Sequence, residues 1–246
     1  MNKKLILDVK KKKEFSLLPD SIVERALALS EFDLKATRAF LRKYFGVFLI
    51  NKVFKGKDEN VLKFHLSTRK RDYDDLYKKL FSYEKFKSII DLGCGVNGFS
   101  YNFLRKYFGD VNYIGVEAVG QIVENTNKYF QVMGFENAIL LKKDLFYFDF
   151  KFLKQIEGPK FVFLFQVADA LEIFEKNFTK KFLLNLKNIL EEKDKIVLSV
   201  PLKSLSSGLK KASGKWAFEF IKEHFYVFDE FEMFDERFIV FGNGKN

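Results

Sequence analysis

The chain has 246 residues, 48% hydrophobic and 17% aromatic with 32 Phe, which is enough to bury a full core and too apolar for a disordered segment. Its one cysteine, Cys94, excludes a disulfide framework and a cysteine-built zinc cluster, and points to a cytoplasmic protein with no metal. The formal charge of +10 is uneven: residues 1–80 hold 20 Lys and Arg against 11 Asp and Glu, and the remainder 23 against 22. A basic amino-terminal part before a near-neutral remainder suits a protein that holds a polyanion with one part and acts on it with the other. Lys3, Lys4 and residues 10–13 charge the amino terminus, which has no apolar run long enough for a signal peptide or membrane span, so no membrane partner is expected.

In chain order, residues 14–60 read as helices. Asp20 or Ser21 can cap a helix over residues 22–29, and Asp33 can cap a segment through Phe48 in which Leu34, Phe40, Leu41, Tyr44, Phe45 and Phe48 recur at roughly helical spacing. Lys35, Arg38, Arg42 and Lys43 fall largely off that stripe and form a candidate basic face. Gly56 and residues 57–60 mark a break, residues 62–66 are short, and Thr68 or Asp72 opens a helix through Phe81. The predicted division is a basic helical domain over residues 1–81 and an α/β domain over 82–246.

Residues 88–92 read as an apolar strand that ends in Asp91-Leu92-Gly93-Cys94-Gly95 and leads into a helix over residues 99–108. A turn of this kind brings backbone close to a nucleotide cofactor, and Gly93 and Gly95 permit the approach. The dinucleotide fingerprint G-x-G-x-x-G is not met, because Gly98 comes too early. Asp91 is placed to meet an ammonium group. A second strand, residues 111–117, ends in Glu117, about 20 residues after the turn, where an acid accepts both hydroxyls of a ribose; Ala118 follows at the same edge. A third, residues 138–142, precedes Asp144 and Leu145, where the carboxylate either meets an adenine amino group or caps a helix. A fourth, residues 161–166, places Gln166 and then Val167-Ala168-Asp169 at the reaction edge. A helix over 174–190, a strand over 195–200, a loop over 201–214, a helix over 215–224 and strands over 226–233 and 237–241 complete a plan of alternating strands and helices with a closing hairpin. Lys203, Ser204, Lys210, Lys211 and Lys215 lie on or beside the late loop, where phosphate contacts are useful. Trp216 stacks on a base or anchors its helix. Cys94 sits in the cofactor turn and reads as a small packed side chain, not a nucleophile.

D-L-G-C-G after a strand resembles the cofactor turn of S-adenosylmethionine (SAM) methyltransferases. Three further segments narrow the likeness. His65-Leu66-Ser67-Thr68-Arg69-Lys70-Arg71 resembles the H-x-S-T-x-E-R segment of the aminoglycoside-resistance methyltransferases that modify guanine N7 in small-subunit ribosomal RNA. Val197-Leu198-Ser199-Val200-Pro201-Leu202-Lys203-Ser204-Leu205-Ser206 is similar to that family's S-F-P-[TI]-[RK]-S-L, and Lys35-Ala36-Thr37-Arg38 with Leu41 and Tyr44-Phe45-Gly46 to its K-x-T-[KR]-x-x-L-H-x-x-Y-G. The matches span the whole chain. The resemblance implies a Rossmann-like seven-stranded SAM-dependent methyltransferase domain behind a helical amino-terminal domain that docks on the small ribosomal subunit. It implies SAM as cofactor, with Asp91, Gly93, Glu117, Asp144 and Leu145 at matching positions and His65 and Arg71 helping to enclose it; Gly95, Ala118 and Gln166 are added as cofactor candidates from their places at the strand ends, and Arg38, Arg42, Lys43, Lys203, Ser204, Lys210, Lys211 and Lys215 are the candidate RNA contacts from the basic face and the late loop. Departures lie near the target pocket: Asn97-Gly98 stands where the family has N-P, Gln166-Val167-Ala168-Asp169 where it has K-x-[LP]-P, and Arg42 where it has a helix histidine.

The implied reaction is methylation of a guanine N7 in the decoding region. N7 carries a lone pair and no proton, so positioning replaces acid-base work and no catalytic acid or base is expected. Two other readings stay open. One is methylation of another RNA base, such as adenine N1, or of a small molecule; the other is a non-catalytic RNA-binding protein that retains a SAM pocket.

Overall fold

The structure, a computed structural model, describes residues 2–45, 56–65, 67–83, 85–202 and 214–244. Strands β1 (Ser88–Leu92), β2 (Asn112–Glu117), β3 (Ala138–Lys142), β4 (Lys160–Phe165), β5 (Lys195–Pro201), β6 (Tyr226–Met233) and β7 (Glu236–Gly242) form one sheet in the order β3-β2-β1-β4-β5-β7-β6. The first five are parallel; β7 runs antiparallel between β5 and β6. The order reverses at β1, and the crevice above β1 and its neighbours is where open parallel sheets bind ligands.

β1, β4 and β5 are buried along their whole length. Their near-continuous apolar runs, such as Phe161-Val162-Phe163-Leu164-Phe165, are what strands covered on both faces require. Alternate side chains feed two cores, as the two-residue strand period dictates. Ile89, Phe161, Phe163, Phe165, Val197, Phe238 and Val240 enter one, while Ile90, Val162, Leu164, Ile196, Leu198, Ile239 and Phe241 enter the other.

The first core is covered by α1 (Asn2–Lys10), α2 (Asp20–Leu29), α3 (Leu34–Phe45), α4 (Val61–Phe64), α5 (Tyr73–Phe81), α6 (Tyr101–Phe108) and α7 (Gly120–Met133), and the second by α8 (Lys151–Lys154), α9 (Ala168–Phe174), α10 (Phe178–Ile189) and α11 (Lys215–His224). Ile6, Val23, Leu27, Leu41, Leu76 and Leu80 thus share one hydrophobic cluster with the sheet. Aromatic rings dock α5: Tyr77 stacks on Phe163 at 6.4 Å between centroids, within a column in which Phe161, Phe163 and Phe165 follow at 5.1 and 4.8 Å.

Several local expectations change. α1 is unforeseen, because its lysines obscure the stripe of Ile6 and Val9 that it buries. Pro19, not Asp20 or Ser21, occupies the N-cap of α2; Asp20 pairs with Lys10 at 2.5 Å and Ser21 bonds elsewhere. Asp33 caps α3 by accepting from the Ala36 N–H at 2.6 Å, and Asp72 caps α5 through Asp75 N–H at 3.1 Å. Phe48 lies outside the described residues. The helix expected over 174–190 is two helices, since Asn177 takes a left-handed conformation while the Glu172 carboxylate accepts from the N–H groups of Asn177 and Thr179 at 2.7 and 2.9 Å. β4 ends at Phe165, one residue early, because Gln166 has φ of +55°.

Candidate active site

The turn after β1 is built on backbone. The N–H groups of Gly93 and Cys94 both donate to the carbonyl of Val116, at 2.8 and 3.0 Å, clamping the turn to the end of β2. Gly93 has φ of +72°, and a Cβ there would stand 2.5 Å from Cγ2 of Val167, so both conformation and space demand glycine. Cys94 is buried, with its thiol pushed well up by desolvation, as suits a packing residue.

Glu117 and Asp91 flank this turn. The Glu117 carboxylate accepts from Gly95 N–H at 2.9 Å and from Val119 N–H at 2.8 Å, one on each oxygen, and burial raises its pKa against the pull of these donors. Each oxygen keeps a further acceptor position, so the group can still meet two hydroxyls. Asp91 is fully buried, with Oδ2 accepting from Asn97 Nδ2 at 2.6 Å and Tyr113 OH at 2.8 Å. Its Oδ1 makes no hydrogen bond with any described residue. Desolvation pushes the carboxyl up to about 6, against the two donors and the charge of Arg71. A buried carboxylate oxygen without a donor is costly, and an ammonium group is its natural partner. These acceptors therefore fit the amino-acid end of SAM at Asp91 and its ribose at Glu117.

The other pocket positions converge on this edge. Leu145 is buried, with Cδ1 3.5 Å from the Cβ position of Gly93, and Ala118 is half-buried beside Glu117. Asp144 caps the 3₁₀ turn Leu145–Tyr147 through Phe146 N–H at 2.9 Å and also accepts from the hydroxyl of Ser21 on α2. Gln166, in its left-handed conformation, donates its own N–H to Ser199 O at 3.0 Å and its side-chain amide to Ser67 O at 3.4 Å. Such strained positions concentrate at functional sites. Gly98 is tightly enclosed, since a Cβ would stand 2.6 Å from Thr126 Cγ2, and Asn97 before it serves Asp91 directly.

Residues 65 and 67–71 are tied by tight-turn hydrogen bonds. Arg69 N–H bonds His65 O at 2.9 Å, Arg71 N–H bonds Thr68 O at 2.9 Å, and the Thr68 hydroxyl bonds Leu62 O at 2.6 Å. His65 is buried, its Nδ1 2.6 Å from Ser67 Oγ; burial and the Arg71 charge push its pKa down to about 3, so the ring is neutral. Arg71 does not form a surface ion pair. Its side chain is 2% exposed, donates from Nε and Nη2 to the two oxygens of Glu236 at 2.6 and 2.8 Å, and lies 4.9 Å above the ring centre of Phe165. Ser199 Oγ donates to the same Glu236 at 2.8 Å. Sequence reasoning misses Glu236, because it lies 165 residues from its partner and no local pattern marks it.

The candidate RNA residues divide. Arg38 is half-buried and donates to the carbonyl of Asp8 at 2.6 Å, and Arg42 pairs with Glu14 at 2.8 Å above the Phe15 ring, so both guanidinium groups bind helices of their own chain. Lys43 is exposed, and Lys215 is exposed with Glu219 Oε1 at 3.6 Å. Lys203, Ser204, Lys210 and Lys211 lie outside the described residues. Trp216 is half-buried on α11. Among the described residues no cluster of His, Cys, Asp or Glu is arranged to hold a metal ion, and no helix is long and apolar enough to cross a membrane.

Residues 65–234 match a family model described as a methyltransferase domain. No curated protein matches the sequence. Among solved structures, an rRNA methylase from Escherichia coli shares 15% identity with a TM-score of 0.77, covering 99% of this chain and 100% of that one. The 16S rRNA methylase RmtB shares 14% with a TM-score of 0.75, covering 99% of each chain. The 16S rRNA methyltransferase RmtF, solved in complex with S-adenosyl-L-homocysteine, shares 18% with a TM-score of 0.71, covering 98% of each. At these identities the likeness is one of fold, and it takes in the amino-terminal helices as well as the sheet.

Proposed function

The chain belongs to the methyltransferase-domain family, and on that premise we propose that it transfers the methyl group of SAM to small-subunit ribosomal RNA, at N7 of a guanine in the decoding region. The observation that carries the cofactor half is the buried Oδ1 of Asp91, which has no donor among the described residues, beside a backbone cradle that only glycine can form. Asp91 holds the ammonium, Glu117 the ribose hydroxyls, and Leu145, Ala118 and the Gly93 backbone the adenine, with Asp144 at its amino group. When bound, SAM supplies a methyl carbon activated by the positive sulfur. Guanine N7 needs no deprotonation, so the work of the protein is to fix the cofactor's ends and exclude water while the base is brought in line. The site agrees with such a division: His65, at its rim, is buried and neutral.

The RNA half is supported by the excess of nine positive charges in residues 1–80 and by the whole-chain fold likeness to proteins described as 16S rRNA methylases. A small-molecule enzyme would have little use for the basic charge of these helices. The test is incubation of the protein with methyl-tritiated SAM and, separately, purified small subunits, naked small-subunit RNA and tRNA, followed by mass mapping of the labelled nucleotide. 7-Methylguanosine in small-subunit RNA is the expected product. Label in adenine or only in tRNA would overturn the target, and SAM binding without any label would favour a non-catalytic RNA-binding role.

A further inference from the structure

We infer that Glu236, backed by Ser199, is a positioning residue of the cofactor pocket: it fixes the guanidinium of Arg71 where the carboxylate end of the cofactor is held. The inference rests on the cofactor reading above and adds to it a residue that neither sequence pattern nor fold likeness assigns.

A cofactor with an amino-acid end presents an ammonium and a carboxylate on one carbon, so a pocket that reads both needs an acid and a base side by side. Asp91 is the acid. Arg71 is the base near enough for its charge to favour the ionised form of Asp91, and its guanidinium lies over Phe165, the last residue of β4, immediately before Gln166 at the pocket rim. A guanidinium carries five N–H donors in a planar fork, and Glu236 takes two, from Nε and Nη2. The pairing on that edge sets the plane of the fork and the direction of the remaining donors.

Glu236 is itself held rigidly. It is 2% exposed, opens β7, pairs in register with Pro201 of β5, and accepts from the Ser199 hydroxyl on the oxygen that also receives Arg71 Nη2. The hairpin turn before it, Phe234 and Asp235, has φ of +56° and +62°, a left-handed pair that Asn-Gly normally fills. Non-glycine residues persist there only when surrounding contacts determine the turn. Those contacts run to the same segment: Lys70 pairs with Asp235 at 2.5 Å, beside the Arg71–Glu236 pair. Leu202 N–H also bonds Asp235 O at 2.8 Å. The hairpin tip is thus clamped to residues 70–71 by two adjacent ion pairs, one exposed and one buried.

The buried pair is not explained by stability alone, since apolar residues of similar volume often serve a core equally well. The test compares binding of S-adenosylhomocysteine, which has the carboxylate, with 5′-methylthioadenosine, which lacks the amino-acid end, by calorimetry on the full chain. Glu236→Gln should lower affinity for the first by about tenfold or more, the scale of a lost charge-assisted hydrogen bond, and leave the second unchanged. Glu236→Asp keeps the charge but withdraws the carboxylate by one methylene, so it should fold and show the same selective loss, with partial retention. Adding Arg71→Ala to Glu236→Asp should cost no more than Arg71→Ala alone. Equal losses for both ligands, or unchanged binding of the first, would overturn the assignment of Glu236 while leaving the cofactor reading intact. A wild-type protein that binds neither ligand would overturn the cofactor reading itself.

Discussion

The hydroxyl of Ser21 on α2 donates to the carboxylate of Asp144, 123 residues later in the chain, and so joins the amino-terminal helices to the loop that follows β3. Asp144 already accepts from Phe146 N–H, and Arg25, one turn along α2, lies 4.2 Å above the Phe146 ring and pairs with Glu175 at 2.7 Å. The loop after β3, which the proposed function places at the adenine, is therefore buttressed by a helix from the basic part. Ser21→Ala should weaken S-adenosylhomocysteine and 5′-methylthioadenosine equally, each by a few-fold, about 1 kcal/mol. Calorimetry distinguishes this from a loss confined to the amino-acid end.

Asp91 makes the pocket sensitive to pH. Its carboxyl is raised from 3.8 to about 6, chiefly by desolvation. The folded state thus favours the protonated acid. The resulting contribution to stability is fully present below about 3.8 and is lost as pH rises through about 6. Asp91→Asn should remove this dependence and raise the melting temperature of the ligand-free protein at pH 7. On the proposed function, cofactor binding runs the other way, because it is the ionised acid that pairs with an ammonium. Affinity for S-adenosylhomocysteine should rise between pH 5 and 7 in the wild type and stay nearly flat in Asp91→Asn, measured by calorimetry across that range.

Gly93→Ala combines a left-handed backbone with a clash at 2.5 Å against Val167. Denaturant unfolding should show a loss of about 2 to 4 kcal/mol, the sum of conformational and overpacking costs. Val167→Ala in the same chain should recover the steric part and leave the backbone part.

Glu117 accepts from two backbone N–H groups, and the proposed cofactor site gives it the ribose as well. Glu117→Ala should abolish detectable cofactor binding and lower the melting temperature, since it orphans both donors. Glu117→Gln keeps the shape and one full acceptor; it should fold and lose affinity by about tenfold. Unchanged affinity by calorimetry would remove the ribose assignment.

On the basic face, Lys43→Glu should weaken small-subunit RNA binding across sequences and reduce the salt slope by about 1, with SAM affinity intact. Arg38→Glu and Arg42→Glu should also lower the melting temperature, because Arg38 bonds the Asp8 carbonyl and Arg42 pairs with Glu14. Filter binding over a salt series, with thermal melts alongside, checks both.

What the sequence determines here is local. Strand alternation, the glycine turn at Gly93 and Gly95, the strand-end acids Asp91 and Glu117, and the caps Asp33 and Asp72 are legible because each depends on residues within a few positions or on the regular period of a strand-helix-strand unit. The same locality explains the errors: α1 hides behind its lysines, and the break at Asn177 depends on Glu172 folding back onto it. Only the tertiary structure decides that Arg71 faces Glu236 rather than water, that Ser21 leaves its own helix to bond Asp144, and that Arg38 reaches the Asp8 carbonyl. Those choices are made by burial. A charged or polar side chain removed from water must find a partner wherever the packed chain presents one, at any distance along the sequence.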